Sequence, residues 1–201
     1  MEKCRMRNKL SQKQLKKKGR GSQRMQPIRD LEKLEEVKAY LRASSYRDYF
    51  CFHLGCNTGF RIGDLVNLRV CDVRNKTHII VQEEKTGKMR RAFLNETLRA
   101  EIAEYTRVMA DDDWLFPSNR EGRPLCRIHF YRMVRCAGER AGLSELGSHT
   151  MRKTFGYHFY KKTKDIGMLM QILNHSNETV TMRYIGILED EIDQALSDFS
   201  L

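Results

Sequence analysis

Two short stretches hold the residues whose types and spacing could do chemistry. In SHTMRKTF, residues 148–155, His149 and Arg152 stand three apart behind a helix-start signal. Ser148 reads as the N-cap, which puts His149 and Arg152 on one face of a first helical turn. A helix N-terminus attracts anions through its free N–H groups, and a guanidinium beside it adds a second prong. The pattern suits a phosphate, although a surface His–Arg pair at a helix start is the ordinary reading. In LNHSNETVTMRY, residues 173–184, His175 and Tyr184 flank a tight corner between two helices, with Asn177 as N-cap of the second. A capping histidine and a core-edge tyrosine would give the same pattern.

Two further pieces lie upstream. In NTGFRIGDL, residues 57–65, Arg61 follows a glycine break and Asp64 comes one turn later. This is either an exposed i,i+3 ion pair worth little, or an arginine held by a carboxylate so that its fork meets a phosphate. Lys85 sits at a turn, where lysines are common.

These residues need elements to hold them. Apolar spacing predicts helices over 30–43, 46–59, 61–70, 96–109, 127–141, 149–162, 166–174, 178–186 and 189–199. Between them, HIIVQEEKTGKMRRAFL (78–94) reads as two strands joined by a turn at Thr86-Gly87. The expected fold is mainly α with a small antiparallel β-ribbon. The segment 111–114, DDDW, reads as a solvated loop, because consecutive acids seldom converge on one metal ion.

Charge is unevenly placed. Of the net +11 over 201 residues, residues 1–24 contribute +9 and the rest +2. Such a segment, with Lys16, Lys17, Lys18, Arg20 and Arg24 near its end, fits a polyanionic partner or a solvated end. Residues 1–28 are therefore expected to form a flexible basic tail or linker, and 29–201 the folded domain. No apolar run approaches the roughly 20 residues of a membrane helix, and no secretory h-region follows the start. The six cysteines show neither a CxxC nor zinc spacing with histidine, so reduced thiols in a cytoplasmic protein are expected.

Taken in order, Arg61, Lys85, His149, Arg152, His175 and Tyr184 with their flanks resemble the catalytic domain of the tyrosine recombinase, or phage integrase, family. TGFRIGDL matches the family's first arginine box, and EKTGKMRRAFL its lysine ribbon. HTMRKTF matches the H-x-x-R box, and LNHSNETVTMRY the L-x-H-x(8)-Y box. The resemblance covers residues 30–201. Two departures stand out: the family's usual N-terminal core-binding domain has only the basic tail in its place, and Lys153 stands where many members carry histidine.

The resemblance implies a site-specific recombinase that cuts and rejoins double-stranded DNA. Tyr184 would attack the phosphodiester to give a 3′-phosphotyrosyl bond, with Arg61 and Arg152 on the non-bridging oxygens. His149 would be the base or hydrogen-bond partner, and His175 a donor to a non-bridging oxygen. Lys85 would protonate the leaving 5′-oxygen, and Asp64 would hold Arg61 or a neighbouring histidine. It implies no metal or other cofactor, and self-association into a synaptic dimer or tetramer on DNA near the nucleoid. Related readings are a type IB topoisomerase-like relaxing activity and a DNA-binding relative without productive recombination. A polybasic RNA binder lacks the aromatic platform it would need.

Overall fold

The computed structural model describes residues 25–84, 86–120, 122–197 and 199–200. Among them the order is α1 (Leu31–Ser44), α2 (Tyr46–Thr58), α3 (Ile62–Val66), a 3-10 turn (Val70–Asp72), β1 (His78–Gln82) and β2 (Met89–Phe93). There follow α4 (Glu96–Tyr105), α5 (Arg127–Arg140), α6 (Thr150–Thr163), α7 (Ile166–Leu173), α8 (Glu178–Ile185) and α9 (Ile187–Ser197). The expected mainly helical fold with one antiparallel ribbon is therefore present, with His78 opposite Phe93 and Gln82 opposite Met89.

Local chemistry sets the element ends. Asp30, Ser45, Asn95, Asp165 and Asn177 each cap a helix with a side-chain oxygen on a free backbone N–H. Helix α2 stops at Gly59 in the left-handed region, φ 63°. Helix α4 ends four residues earlier than its apolar spacing suggests. Beyond Tyr105 the Arg74 guanidinium takes the Thr106 and Met109 carbonyls, which holds the chain in the turn that follows the helix. Gly186, φ 81°, ends α8, and α9 begins at the next residue rather than at 189.

Two apolar clusters meet along α6. The larger gathers α1 to α5 and the ribbon around Phe50, Phe52, Phe60, Phe116 and Phe130, all buried. The smaller joins Tyr157 to Leu169, Leu173, Met182, Ile185 and Ile187. Helix α6 spans both: Met151 belongs to the first and Tyr157 to the second. Glycines permit this close approach. A Cβ on Gly55 of α2 would lie 2.3 Å from the Met151 sulfur, and one on Gly156 would lie 2.7 Å from Ile185. The chain entering the domain is also pinned to α6, where Thr154 Oγ1 accepts the Ile28 N–H at 2.9 Å. The first turn of α6 is thereby fixed between the two clusters.

Gly59 carries two demands at once. Its φ is positive, and a Cβ there would lie 2.5 Å from the Phe155 ring. Gly59→Ala is expected to destabilise the fold by at least about 1–2 kcal/mol, the cost of a left-handed alanine alone. Urea unfolding measures it, and an unchanged midpoint would contradict the packing described.

Candidate active site

The site is built around Glu83, a fully buried carboxylate at the end of β1. Its Oε1 lies 2.5 Å from Arg61 Nη1, 3.8 Å from Arg152 Nη1 and 4.0 Å from Arg90 Nη1. Its Oε2 accepts from the Thr86 hydroxyl at 2.7 Å. Burial alone would raise the Glu83 pKa. The contacts with Arg61 and Thr86 and the charges of Arg61 and Arg152 outweigh that and hold it at about 2. Glu83 is therefore ionised at any ordinary pH.

The arginines arrive from three elements. Arg61 caps α3 and is partly exposed. Arg152, on the first turns of α6, is only 1% exposed and donates to the Gly59 carbonyl at 2.8 Å and the Leu173 carbonyl at 2.6 Å. Arg90, on β2, is 4% exposed and donates to Gly59 at 2.6 Å and Thr58 at 2.7 Å. Its guanidinium stacks over the Phe60 ring, 4.6 Å from the centroid. The Gly59 carbonyl thus receives two guanidiniums. Burial, then the repulsion of Arg152, lowers Arg90 to about 9.

Tyr184 stands beside this cluster on α8. Its hydroxyl lies 3.3 Å from His149 Nδ1. The His175 ring meets Tyr184 edge-on at 5.2 Å, and Lys153 Nζ lies 5.1 Å from the Tyr184 ring centre. Burial raises the phenol pKa, opposed by the charges of Arg152 and Arg61. At neutral pH the nucleophile candidate is thus a neutral phenol that needs a proton acceptor. An open cleft of about 540 Å³ adjoins the site, lined in part by Arg61, Asp64, Arg127, Tyr131 and His149.

His175 sits at the corner after α7. Its Nδ1 lies 3.1 Å from Thr181 Oγ1, and that hydroxyl donates to the Asn177 carbonyl at 2.8 Å. With the hydroxyl proton spent, Nδ1 must donate, which leaves Nε2 as the free lone pair of a neutral ring. Burial, then the charges of Arg152 and Arg61, lowers the His175 pKa to about 4.

Arg61, His149, Arg152, His175 and Tyr184 are therefore gathered as the sequence motifs suggest, with three differences. The carboxylate on Arg61 is Glu83 rather than Asp64. Asp64, itself buried, accepts from the Glu84 backbone N–H at 3.2 Å and so ties α3 to the ribbon. The N-cap of α6 is His149, not Ser148: the His149 carbonyl already accepts the Lys153 N–H, while Ser148 lies one residue outside. Lys153, noted in the sequence as a departure from the family's histidine, lies over the Tyr184 ring. Lys85 and the basic residues Lys16, Lys17, Lys18, Arg20 and Arg24 lie outside the described residues. Glu83 and Arg90 were missed. Their one sequence signal is a charged residue at an alternating strand position that should face the core.

Residues 29–191 match the model of the phage integrase family. The chain belongs to that family. Family membership puts it among the site-specific DNA recombinases. It is 51% identical over 175 residues to the probable integrase/recombinase YoeC of Bacillus subtilis (strain 168), covering 87% of this chain and 97% of that relative. Among solved structures it resembles XerA recombinase, with TM-score 0.65, 25% identity and coverage of 85% of this chain and 66% of that one. It also shares the fold of a lambda integrase dimer bound to a COC′ core site, with TM-score 0.64, 18% identity and coverage of 81% and 59%. The chain thus spans nearly all of YoeC but about three-fifths to two-thirds of these solved recombinases. Among the described residues, no helix is long and apolar enough to cross a membrane.

The depressed His175 gives a pH prediction. The unfolded chain holds a proton on His175 below about 6.5, whereas the folded one resists it down to about 4. The unfolded state then binds more protons, so acid favours unfolding across that window, and stability is retained above it. His175→Asn should lose less stability than the parent chain between pH 6.5 and 4 in urea titrations. Equal losses would contradict the neutral, partly buried histidine.

Proposed function

We propose that this family member cuts and rejoins DNA strands with Tyr184 as nucleophile. The observation that carries the reading is the Tyr184 hydroxyl 3.3 Å from His149 Nδ1, beside the Arg61–Arg152 cluster. A phenol at neutral pH is a weak nucleophile, so it needs a base and positive charge where the phosphorane oxygens develop. His149 takes the phenol proton as oxygen attacks phosphorus. A 3′-phosphotyrosyl bond forms, and the bond to the 5′-oxygen breaks. Lys85 is the proposed donor to that leaving oxygen.

The two arginines neutralise the non-bridging oxygens. Arg152 is 1% exposed, so a phosphate reaches it only if part of its surroundings moves aside. An incoming phosphate also changes His175. Burial is the larger cause of the depressed ring, and the phosphate's negative charge offsets the Arg152 and Arg61 contribution, so binding moves the His175 pKa upward and favours a donor at Nε2. The covalent bond conserves the phosphodiester energy, so this reading requires neither nucleotide nor metal.

Double-stranded DNA is the proposed substrate, and lambda integrase, with the same fold, is bound to a core site as a dimer. The basic segment 1–24 would add sequence-independent phosphate contacts. Residues 29–201 would form the catalytic domain. Assembly into a synaptic dimer or tetramer is supported by α9 and the residues after it. Ile192, Leu196 and Phe199 are 50%, 60% and 63% exposed, an apolar stripe that its own domain leaves uncovered. The start of α9 is anchored by buried Ile187 and by Arg29, 3.1 Å from Asp190.

A nicked suicide duplex carrying the flanking genomic repeat tests the chemistry. The parent chain should form a covalent adduct on a denaturing gel. Tyr184→Phe should form none while still binding the duplex. Lys85→Ala should cleave poorly, yet recover on a substrate with sulfur at the 5′-bridging position, since a thiolate leaves without a proton. An adduct from Tyr184→Phe removes the nucleophile, and equal loss on both substrates removes the general acid.

A chain ending at Ile187 should remain folded and cut an isolated half-site, yet fail to assemble complexes in gel-shift assays. Unfolding of that truncation, or intact assembly, would contradict the role given to α9.

A further inference from the structure

We infer that Glu83 is a positioning residue of the phosphate site: its carboxylate holds Arg61 and balances buried Arg90 and Arg152, so the guanidinium cluster is assembled before any phosphate arrives. This rests on the proposal that Arg61 and Arg152 receive the scissile phosphate. Glu83 itself touches no substrate in this account.

The geometry forces such a role. Buried cations are tolerated only with a counter-charge and with their remaining N–H groups satisfied. Backbone carbonyls satisfy N–H groups of Arg90 and Arg152 but supply no full charge. One carboxylate oxygen, Glu83 Oε1, lies within 4.0 Å of all three guanidiniums.

Glu83 is also poorly able to move. Its N–H donates to the Lys88 carbonyl at 2.9 Å, and its carbonyl accepts the Gly87 N–H at 2.8 Å. The Thr86 hydroxyl fixes its second carboxylate oxygen. The end of the ribbon therefore carries an anion set rigidly against Arg61. Even with buried Asp64 counted beside Glu83, three guanidiniums outnumber the carboxylates, so there is electrostatic room for a phosphodiester anion without expelling Glu83. Its pKa of about 2 keeps it charged throughout.

The test uses the full chain with Glu83→Gln and Glu83→Asp, and Tyr184→Phe as control. In single-turnover cleavage of the nicked duplex, Glu83→Gln should lower the rate constant about 10- to 100-fold, the usual loss for an outer partner that orients a ligand. Amplitude and duplex affinity should stay near the parent values. Glu83→Asp, which keeps the charge, should recover part of the rate. Inorganic phosphate should raise the Tm of Glu83→Gln more than that of the parent chain, because the anion replaces the missing carboxylate.

An unchanged rate constant, or a loss confined to amplitude, would overturn the proposal, since a merely structural carboxylate affects only the folded fraction. Equal phosphate shifts would overturn it as well. If Glu83→Gln does not fold, Glu83→Asp decides: a rate constant at the parent value with reduced amplitude would sink the idea. An adduct from Tyr184→Phe would instead overturn the reading of the nucleophile, and the phosphate melts would still judge Glu83.

Discussion

Three guanidiniums, two of them almost wholly enclosed, face one carboxylate, and the rest of the site follows from that constraint. Taking charge out of water is expensive, and breaking a buried pair by removing one partner leaves an uncompensated ion. The fold meets this cost with backbone. The loop after α2 turns its Thr58 and Gly59 carbonyls toward Arg90 and Arg152, and the end of α7 adds the Leu173 carbonyl. A left-handed glycine is what allows that loop, and the close approach of Phe155 leaves no space for a Cβ. The surplus of positive charge makes the site ready for an anion. It adds to burial in keeping His175 neutral, and it draws down the pKa of the neighbouring phenol, though burial wins for Tyr184.

Much of this was legible in the sequence because ordered motifs carry the chemistry and helical spacing carries the frame. The turn at Gly59, the ribbon around Gly87 and the capped corner at Asn177 follow from local rules, and the structure keeps them. What escaped depends on contacts across long stretches of chain. Glu83 reads as one acid in an acidic strand end, and only folding brings it against residues of α3, β2 and α6. Asp64 has the spacing to pair with Arg61, but its position on α3 turns it to the Glu84 N–H instead. The turn after α4 was hidden because it is held by Arg74, 32 residues from the Thr106 carbonyl that it bonds. Lys153 showed in the sequence as a departure without a role, because its contact with the Tyr184 ring bridges α6 and α8.

The two apolar clusters give the site its capacity for change. The arginines, the ribbon and the start of α6 rest on the larger cluster, while Tyr184 rides on the smaller one with α7 and α8. The smaller cluster continues into α9, whose later residues are left uncovered. Tyr184 therefore lies between a rigid charged half and a half whose terminal helix has apolar surface to offer. Elements with few buried contacts open at lower free energy than the core. Uncovering Arg152 for a phosphate while the guanidiniums stay in place fits that division.

The central claim is that phosphate chemistry occurs at Tyr184 within the arginine cluster, and peptide mapping of a trapped protein–DNA adduct tests it most directly. No lysine or arginine follows Arg183, so trypsin releases residues 184–201 as one peptide, in which Tyr184 is the sole tyrosine. After nuclease trimming of the adduct, mass spectrometry should find a nucleotide on that peptide, with fragment ions placing it on Tyr184. A nucleotide on any other peptide, or an unmodified 184–201 peptide recovered from a purified adduct, would contradict the account.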